Sequence, residues 1–353
     1  MSGVGADGWG PTARTRQLVV LLGAVVVLAG CGVGAGEPGP ESDPAPRPHP
    51  IPPPDTVPAH PPSPDLAELQ EATWHLYRAD GTSSSLDELL TAAAEVEVIL
   101  VGERHGDPGG HRFQRELLDQ VLREGGEGIL RERRPVLSLE MFETDVQPVL
   151  DEYLSGLITE EHFLAAARPW RFYERDYRPL VEAAREAGIP VVAANAPRRY
   201  VNRVSRLGRE GLDDLPPAAL EHLPPLPFPE PSEAYRGEWE ALMQGIDAHG
   251  EHGHGTPDES ALEAQALWDA AMAHAVALAL EDEGSEALVV HMAGSFHVEN
   301  RTGIPEALRH YHPEVRDLLV VVKAVEDPSA PPARDELEGV ADFIVFTLDP
   351  SPS

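Results

Sequence analysis

Four short apolar runs constrain this chain more than anything else in it, because none of them alternates. Glu97 to Val101, Pro135 to Met141, Ile189 to Ala194 and Ala287 to Ala293 carry Val, Leu and Ile on consecutive positions. A strand with one wet face is apolar at every second residue, whereas a strand covered on both faces is apolar nearly throughout. Helical spacing fills the intervals: Phe113, Leu117, Leu118 and Val121 share one helix face, and Tyr177, Leu180, Val181 and Ala184 share another. Leu86 to Ala93 reads as a further helix, with Ser85 and Glu88 placed as a capping box. Buried strands alternating with helices imply an α/β fold with a parallel-sheet core flanked by helices. Leu318 to Val322 and Phe343 to Leu348 have no long helix between them and are expected as antiparallel edge strands near the C-terminus. Gly208 to Glu283 departs from the alternation, with a Pro-rich stretch around Pro224 to Pro231, a polar loop from His249 to His254 and a long helix from about Pro257 to Leu280. It reads as a helical insertion on one side of the sheet.

The polar residues fall where such a sheet would use them. The first run ends in Gly102-Glu103-Arg104-His105, the second in Glu140, the third in Asn195 and the fourth in Gly294-Ser295-Phe296-His297. In open parallel sheets the ligand crevice lies beyond the carboxyl ends of the strands. A single Glu at a strand end is ordinarily a solvated loop residue, but four successive runs delivering Glu, His, Glu, Asn and His to one rim point to a site. Two carboxylates and two imidazoles suit a divalent metal, general acid–base work or a ligand held by hydrogen bonds.

The N-terminus sets the compartment. Arg14 and Arg16 precede an apolar run from Leu18 to Ala29, which ends in Leu28-Ala29-Gly30-Cys31. A basic segment, a short apolar core and small residues before a cleavage point describe a secretory signal. The run falls short of the about 20 apolar residues that a permanent span needs. The residues before Cys31 match a bacterial lipobox, and Cys31 is the only cysteine in the chain. The expected organisation is a signal peptide over 1–30, a lipid-anchored Pro-rich linker over 31–65 and one folded domain over 66–353. Gly32 stands where an Asp would favour inner-membrane retention, so an envelope location is expected, at the outer membrane or facing the periplasm. Acidic residues outnumber basic ones 60 to 27, which excludes nucleic acid as a natural partner. Lys323 is the only lysine, so a P-loop and Schiff-base chemistry are excluded as well.

Several segments together carry a family resemblance. Gly102-Glu103-Arg104-His105, Leu139-Glu140-Met141-Phe142-Glu143 and Asp176-Tyr177-Arg178-Pro179-Leu180 are followed by Ala193-Ala194-Asn195-Ala196-Pro197-Arg198-Arg199. Gln265-Ala266-Leu267-Trp268-Asp269, Met272-Ala273, the strand end from Ala293 to His297 and Gly303-Ile304-Pro305 complete the series. Over roughly Ala72 to Arg309 the chain resembles the ChaN-like haem-binding uptake lipoproteins of the Tiki superfamily. The resemblance implies haem as ligand, a role in iron or haem uptake and a homodimer around the ligand. It also implies an alternative, since the superfamily contains esterase-like and metalloprotease-like hydrolases. On that reading Glu103, His105, Glu140 and His297 would be catalytic, with a divalent metal as the alternative cofactor. For haem, the candidate residues are Glu103, His105, Glu140, Tyr173, Tyr177, Arg198 and His297, with Tyr173 preferred to Tyr177 because Tyr177 opens a helical apolar stripe. Arg178 and Arg199 join Arg198 as partners for carboxylates. Trp170 and Phe172 suit either an apolar slot or ordinary core, Tyr200 follows the two arginines, and Trp268, Asp269 and Met272 read first as the inner face of a helix. His249, His252 and His254 form a loop that is either a ligand set or simply solvated. Two departures from the family pattern stand out. Phe296 replaces a glycine and is expected to stack on a flat ligand, and Gly109-Gly110 replace bulkier residues and are expected to loosen the first loop.

Replacing Cys31 by Ser should abolish acylation, leaving the protein soluble or uncleaved. Carbonate-washed membranes that retain the variant would sink the lipobox assignment.

Overall fold

The computed structural model describes residues 73–248, 259–330, 334 and 337–349. The signal segment, Cys31, the Pro-rich linker and the His249–His254 loop lie outside the described residues. Seven strands form one sheet: β1 (Trp74–Arg78), β2 (Val98–Glu103), β3 (Arg134–Glu143), β4 (Val191–Asn195), β5 (Ala287–Gly294), β6 (Asp317–Val325) and β7 (Phe343–Leu348). Their order is β1-β7-β6-β2-β5-β3-β4. Every pair is parallel except β1 on β7. The α/β class with a parallel core is therefore as the unalternated runs implied.

Every residue of β2 and of β5 is buried, because both strands sit inside the sheet and both faces are covered. One face packs Ile99, Val101, Leu137, Leu139, Val290 and Met292 against α2 (Pro108–Glu127) and α6 (Arg178–Ala187), which follow α1 (Leu86–Ala93), α3 (Gln147–Leu154), α4 (Glu160–Ala167) and the short α5 (Tyr173–Asp176) in chain order. The opposite face packs Val98, Leu100, Val289 and Ala293 against residues of a long helix, Glu259–Glu283. The anticipated stripe Phe113, Leu117, Leu118 and Val121 is fully buried. At the start of α1 the Ser85 hydroxyl accepts from the Glu88 amide at 3.3 Å, while the Glu88 carboxylate accepts from the Ser84 hydroxyl instead of closing the box on Ser85.

α7 (Arg198–Leu207) precedes the helical insertion, which contains α8 (Pro217–Leu220), α9 (Glu233–Ala248) and α10 (Glu259–Glu283), and α11 (Ile304–Tyr311) follows β5. Two expectations need correction. An antiparallel edge exists and includes Phe343–Leu348, but its partner is β1, an N-terminal strand that the sequence reading passed over. β6 and β7 run parallel, since the 17 residues between them cross over instead of turning back. Gly109 and Gly110 do not loosen a loop. They form the buried first turn of α2, where Asp107 Oδ1 accepts from both amides, and a Cβ on Gly109 would lie 2.7 Å from Thr347 Cγ2.

Gly102 couples the central strand to the segment that follows β5. A Cβ there would lie 2.4 Å from Val298 Cγ2 and 2.9 Å from the Ser295 backbone. Overpacking of this kind costs about 1–3 kcal/mol. Gly102→Ala should therefore lower the thermal midpoint and shift the histidine resonance of His297; a variant matching wild type in both would contradict the close approach.

Candidate functional site

Glu103 ends β2 with its side chain wholly out of water. Oε1 accepts from the Tyr177 hydroxyl at 2.6 Å and lies 2.7 Å from His105 Nδ1, and Oε2 accepts from Gln114 Nε2 at 2.6 Å. His111 stands behind, its Nδ1 3.0 Å from Gln114 Oε1 and its Nε2 accepting from the Gly106 amide at 3.2 Å. Burial works to raise the Glu103 carboxyl, but the neighbouring imidazoles of His111 and His105, the hydrogen bond from His105 and the Tyr177 hydroxyl outweigh it and hold the group at about 2. Burial works to lower His105, yet the hydrogen bond and charge of Glu103, reinforced by Glu140 and Asp176, raise it to about 9. The result is a carboxylate–imidazolium pair with about a third of the imidazole exposed.

A second pair forms where β5 ends beside the final stretch of β3, which runs three residues past Glu140 to Glu143. Glu140 Oε2 accepts from the Gly294 amide at 2.7 Å, and Glu140 Oε1 lies 3.7 Å from His297 Nε2. His297 Nδ1 is 2.6 Å from Asp269 Oδ1, and the other Asp269 oxygen accepts from the Tyr235 hydroxyl. Burial opposes charge on His297, but Asp269 and Glu140 overcome it and raise its affinity for a proton. The two imidazoles meet at Gly294. A Cβ built there would lie 3.1 Å from His105 Nε2 and 3.5 Å from His297 Cδ2, so only glycine leaves the gap between the rings open. Glu103, His105, Glu140 and His297 thus occupy one cleft at the carboxyl ends of β2, β5 and β3.

Residues 89–308, more than half of the chain, match the family described as haem-binding uptake, Tiki superfamily, ChaN. The chain belongs to this family. The solved structure of ChaN of Campylobacter jejuni, which describes cofacial haem binding to that protein, superposes with a TM-score of 0.59. It covers 78% of this chain and 97% of its own at 14% identity, a likeness of fold. Among curated proteins, the chloroplastic protein RETICULATA-RELATED 5 of Arabidopsis thaliana is 25% identical over 227 residues, 61% of this chain. The chain spans 29% of that relative's length.

For a ChaN-family protein the residues anticipated from sequence divide into three groups. Glu103, His105, Glu140 and His297 converge. Arg198 lies at the same rim: its guanidinium stands 5.8 Å over the Trp170 ring, and Trp170 meets His105 edge to face at 5.0 Å. Its nearest carboxylate is Glu143 at 3.7 Å, whereas Arg178 is held by both oxygens of Glu160 and Arg199 is bound to Asp145. Tyr173 and Tyr177 lie deeper than the rim. Tyr173 packs against Phe142 and Phe163 in the core, with its hydroxyl buried, and burial pushes that phenol far above its usual value. Tyr177 is buried with its hydroxyl committed to Glu103. Phe296 is half-buried, with Tyr235 and Trp239 against its ring at 5.3 and 6.0 Å. Asn195 is buried at the end of β4 with its Oδ1 unpartnered, and Met272 is core as expected.

The sequence reading missed His111, Gln114, Asp176 and Tyr235, and it set Asp269 aside as core. Asp269 did carry a signal, being the one acid within an apolar stretch of α10 from Ala264 to Leu280. The residues present fit a haem. His105 offers a partly exposed imidazole whose Nδ1 is backed by a carboxylate, Trp170 offers an apolar edge beside it, and Arg198 offers a cation.

The Glu103–His105 pair fixes a sign for the pH dependence of stability. Glu103 is depressed from 4.5 to about 2, so its contribution is complete above 4.5 and is lost as pH falls toward 2. His105 is raised from 6.5 to about 9, so its contribution is complete below 6.5 and is lost as pH rises through 9. Thermal unfolding of wild type minus His105→Asn should show an alkaline decline in that upper window, and the difference from Glu103→Gln should show declines on both sides. A Glu103→Gln profile parallel to wild type would mean that the pair does not form.

Proposed function

We propose that this protein is a lipid-anchored envelope protein that binds haem at the Gly294 cleft in the service of iron acquisition, and that His105 would hold its iron. The observation that carries the reading is the state of His105: its Nδ1 is fixed by a buried carboxylate, and its ring is about a third exposed at the rim. A hydrogen-bonded Nδ1 orients an imidazole and makes its other nitrogen a better donor to a metal. His297 is almost fully enclosed by comparison. A bound haem would supply a Lewis-acidic iron, and His105 would have to release its Nε2 proton to donate to it. Trp170 shields one side of the rim from water, and Arg198 is placed to meet a propionate. Membership of the haem-binding uptake family supports the ligand, and the Cys31 lipobox supports the anchor.

A homodimer is part of the proposal. A partly exposed His105 on an open rim leaves a bound haem with one uncovered face, and a second copy would cover it.

Hemin titrated into the full-length chain in detergent should give a Soret band that saturates near one haem per chain. His105→Ala should weaken binding about 10–100-fold, the range found when a metal site loses a key support. Arg198→Ala should weaken it less and remove part of its salt dependence. An absent Soret change, or a His105→Ala protein that binds as wild type does, overturns the assignment.

A further inference from the structure

The helical insertion is built against the His297 side of the cleft. Helix α9 brings Tyr235 and Trp239 onto Phe296, and Glu238 of the same helix accepts from the Thr302 hydroxyl at 2.8 Å. Tyr235 is 1% exposed and donates its hydroxyl hydrogen to Asp269, which comes from α10 and is itself 3% exposed. Asp269 is therefore a carboxylate with both oxygens occupied, one by Tyr235 and the other by His297 Nδ1 at 2.6 Å. Removing a carboxylate from water costs several kcal/mol, and an apolar residue on this Ala- and Leu-rich helix would avoid that cost. A buried charge of this kind calls for a task beyond packing. Its geometry supplies one. With Nδ1 held, the opposite edge of His297 is turned to Gln265 at 3.4 Å, to Glu140 at 3.7 Å and to the space beside Gly294.

We propose that Asp269 and Tyr235 are a positioning pair: they pin His297 through Nδ1 and present its Nε2 edge to the Gly294 cleft, making it the second carboxylate-backed imidazole of the site. The ligand class that uses two such imidazoles is an electron-pair-accepting metal centre. That part rests on the haem reading given above, whereas the positioning itself does not. The two halves of the site then work alike, with Glu103 and Tyr177 backing His105 and Asp269 and Tyr235 backing His297. In each, a buried tyrosine hydroxyl donates to the carboxylate that holds the histidine.

The test uses the full-length chain labelled with 15N-histidine, with His297→Gln to assign the ring. Two-bond proton–nitrogen correlation should show His297 protonated at Nδ1 in wild type. Asp269→Leu, which removes both hydrogen bonds at similar volume, should redistribute that proton between the ring nitrogens and weaken hemin binding about tenfold. Asp269→Asn, which keeps an acceptor, should restore most of both. Tyr235→Phe should shift the same ring signals less, and it provides the measurement should Asp269→Leu fail to fold. Unchanged His297 signals in Asp269→Leu, or in Tyr235→Phe if only that variant folds, overturn the positioning role. Altered signals with unchanged hemin affinity would uphold the positioning and overturn His297 as a donor to haem.

Discussion

A carboxylate at the end of a buried strand keeps its charge only if protein groups replace the water it has lost, and Glu103 is in that position at the centre of the sheet. Its replacements come from three directions: Gln114 from the second turn of α2, Tyr177 from the start of α6 and His105 from the loop between. Each has to be in register for the others to count, because a half-satisfied buried carboxylate is worse than none. The requirement therefore fixes how α2 and α6 sit on the sheet as firmly as Phe113, Leu117 and Leu180 do by packing. It also leaves His105 with one nitrogen committed and its ring at the surface. The buried charge and the exposed donor are two ends of one arrangement.

The second pair shows why the site lies on the rim and not on a face of the sheet. Glu103 follows Ile99 and Val101, which belong to the core on the α2 and α6 side. Glu140 follows Val136, which belongs to the core under α10. Residues two apart on a strand share a face, so the two carboxylates start in different layers. Both act on His105, beside the end of β5, where the missing side chain of Gly294 leaves room for both rings. A parallel sheet makes such meetings available because all of its strands end on the same side, and β2, β5 and β3 are neighbours in the order needed.

How much of this is written legibly in the chain depends on the range of the interaction. Unalternated runs announce β2, β3, β4 and β5, because double-sided burial shows in each strand by itself. Their spatial order does not show, since β5 lies between β2 and β3 only through contacts distant in sequence. β1 is five residues, Trp74–Arg78, with polar His75 and Arg78 on an edge, too short and mixed to stand out. Polar residues at strand ends are legible for the same reason as the strands. Asp269 is harder: a lone acid on an apolar helix face signals a buried partner, but His297 is 28 residues away and Tyr235 is 34. Tyr173 misleads in the opposite sense. An aromatic beside Trp170 and Phe172 looks like a ligand slot, yet packing with Phe142 and Phe163 draws it into the core.

Charge raises a final question, since a chain of net charge −33 is a poor attractor for an anionic ligand. The answer lies in how far charges act. At physiological ionic strength screening acts over about 8 Å, so a ligand at the rim responds to the groups around it more than to the whole surface. Near Trp170 those groups include Arg168, Arg198 and Arg199, set against Glu143 and Asp145. Arg168 and Arg199 are held by close contacts to those two acids, whereas Arg198 stands 3.7 Å from Glu143 and lies over an aromatic ring. An arginine placed in this way offers its hydrogen-bonding edge to an incoming carboxylate without first breaking a bidentate pair. Glu143 and Asp145 thus hold Arg168 and Arg199 in place, while Arg198 is more loosely held beside them. The local balance of charge at this rim thus differs from the global one, as the proposed haem site requires.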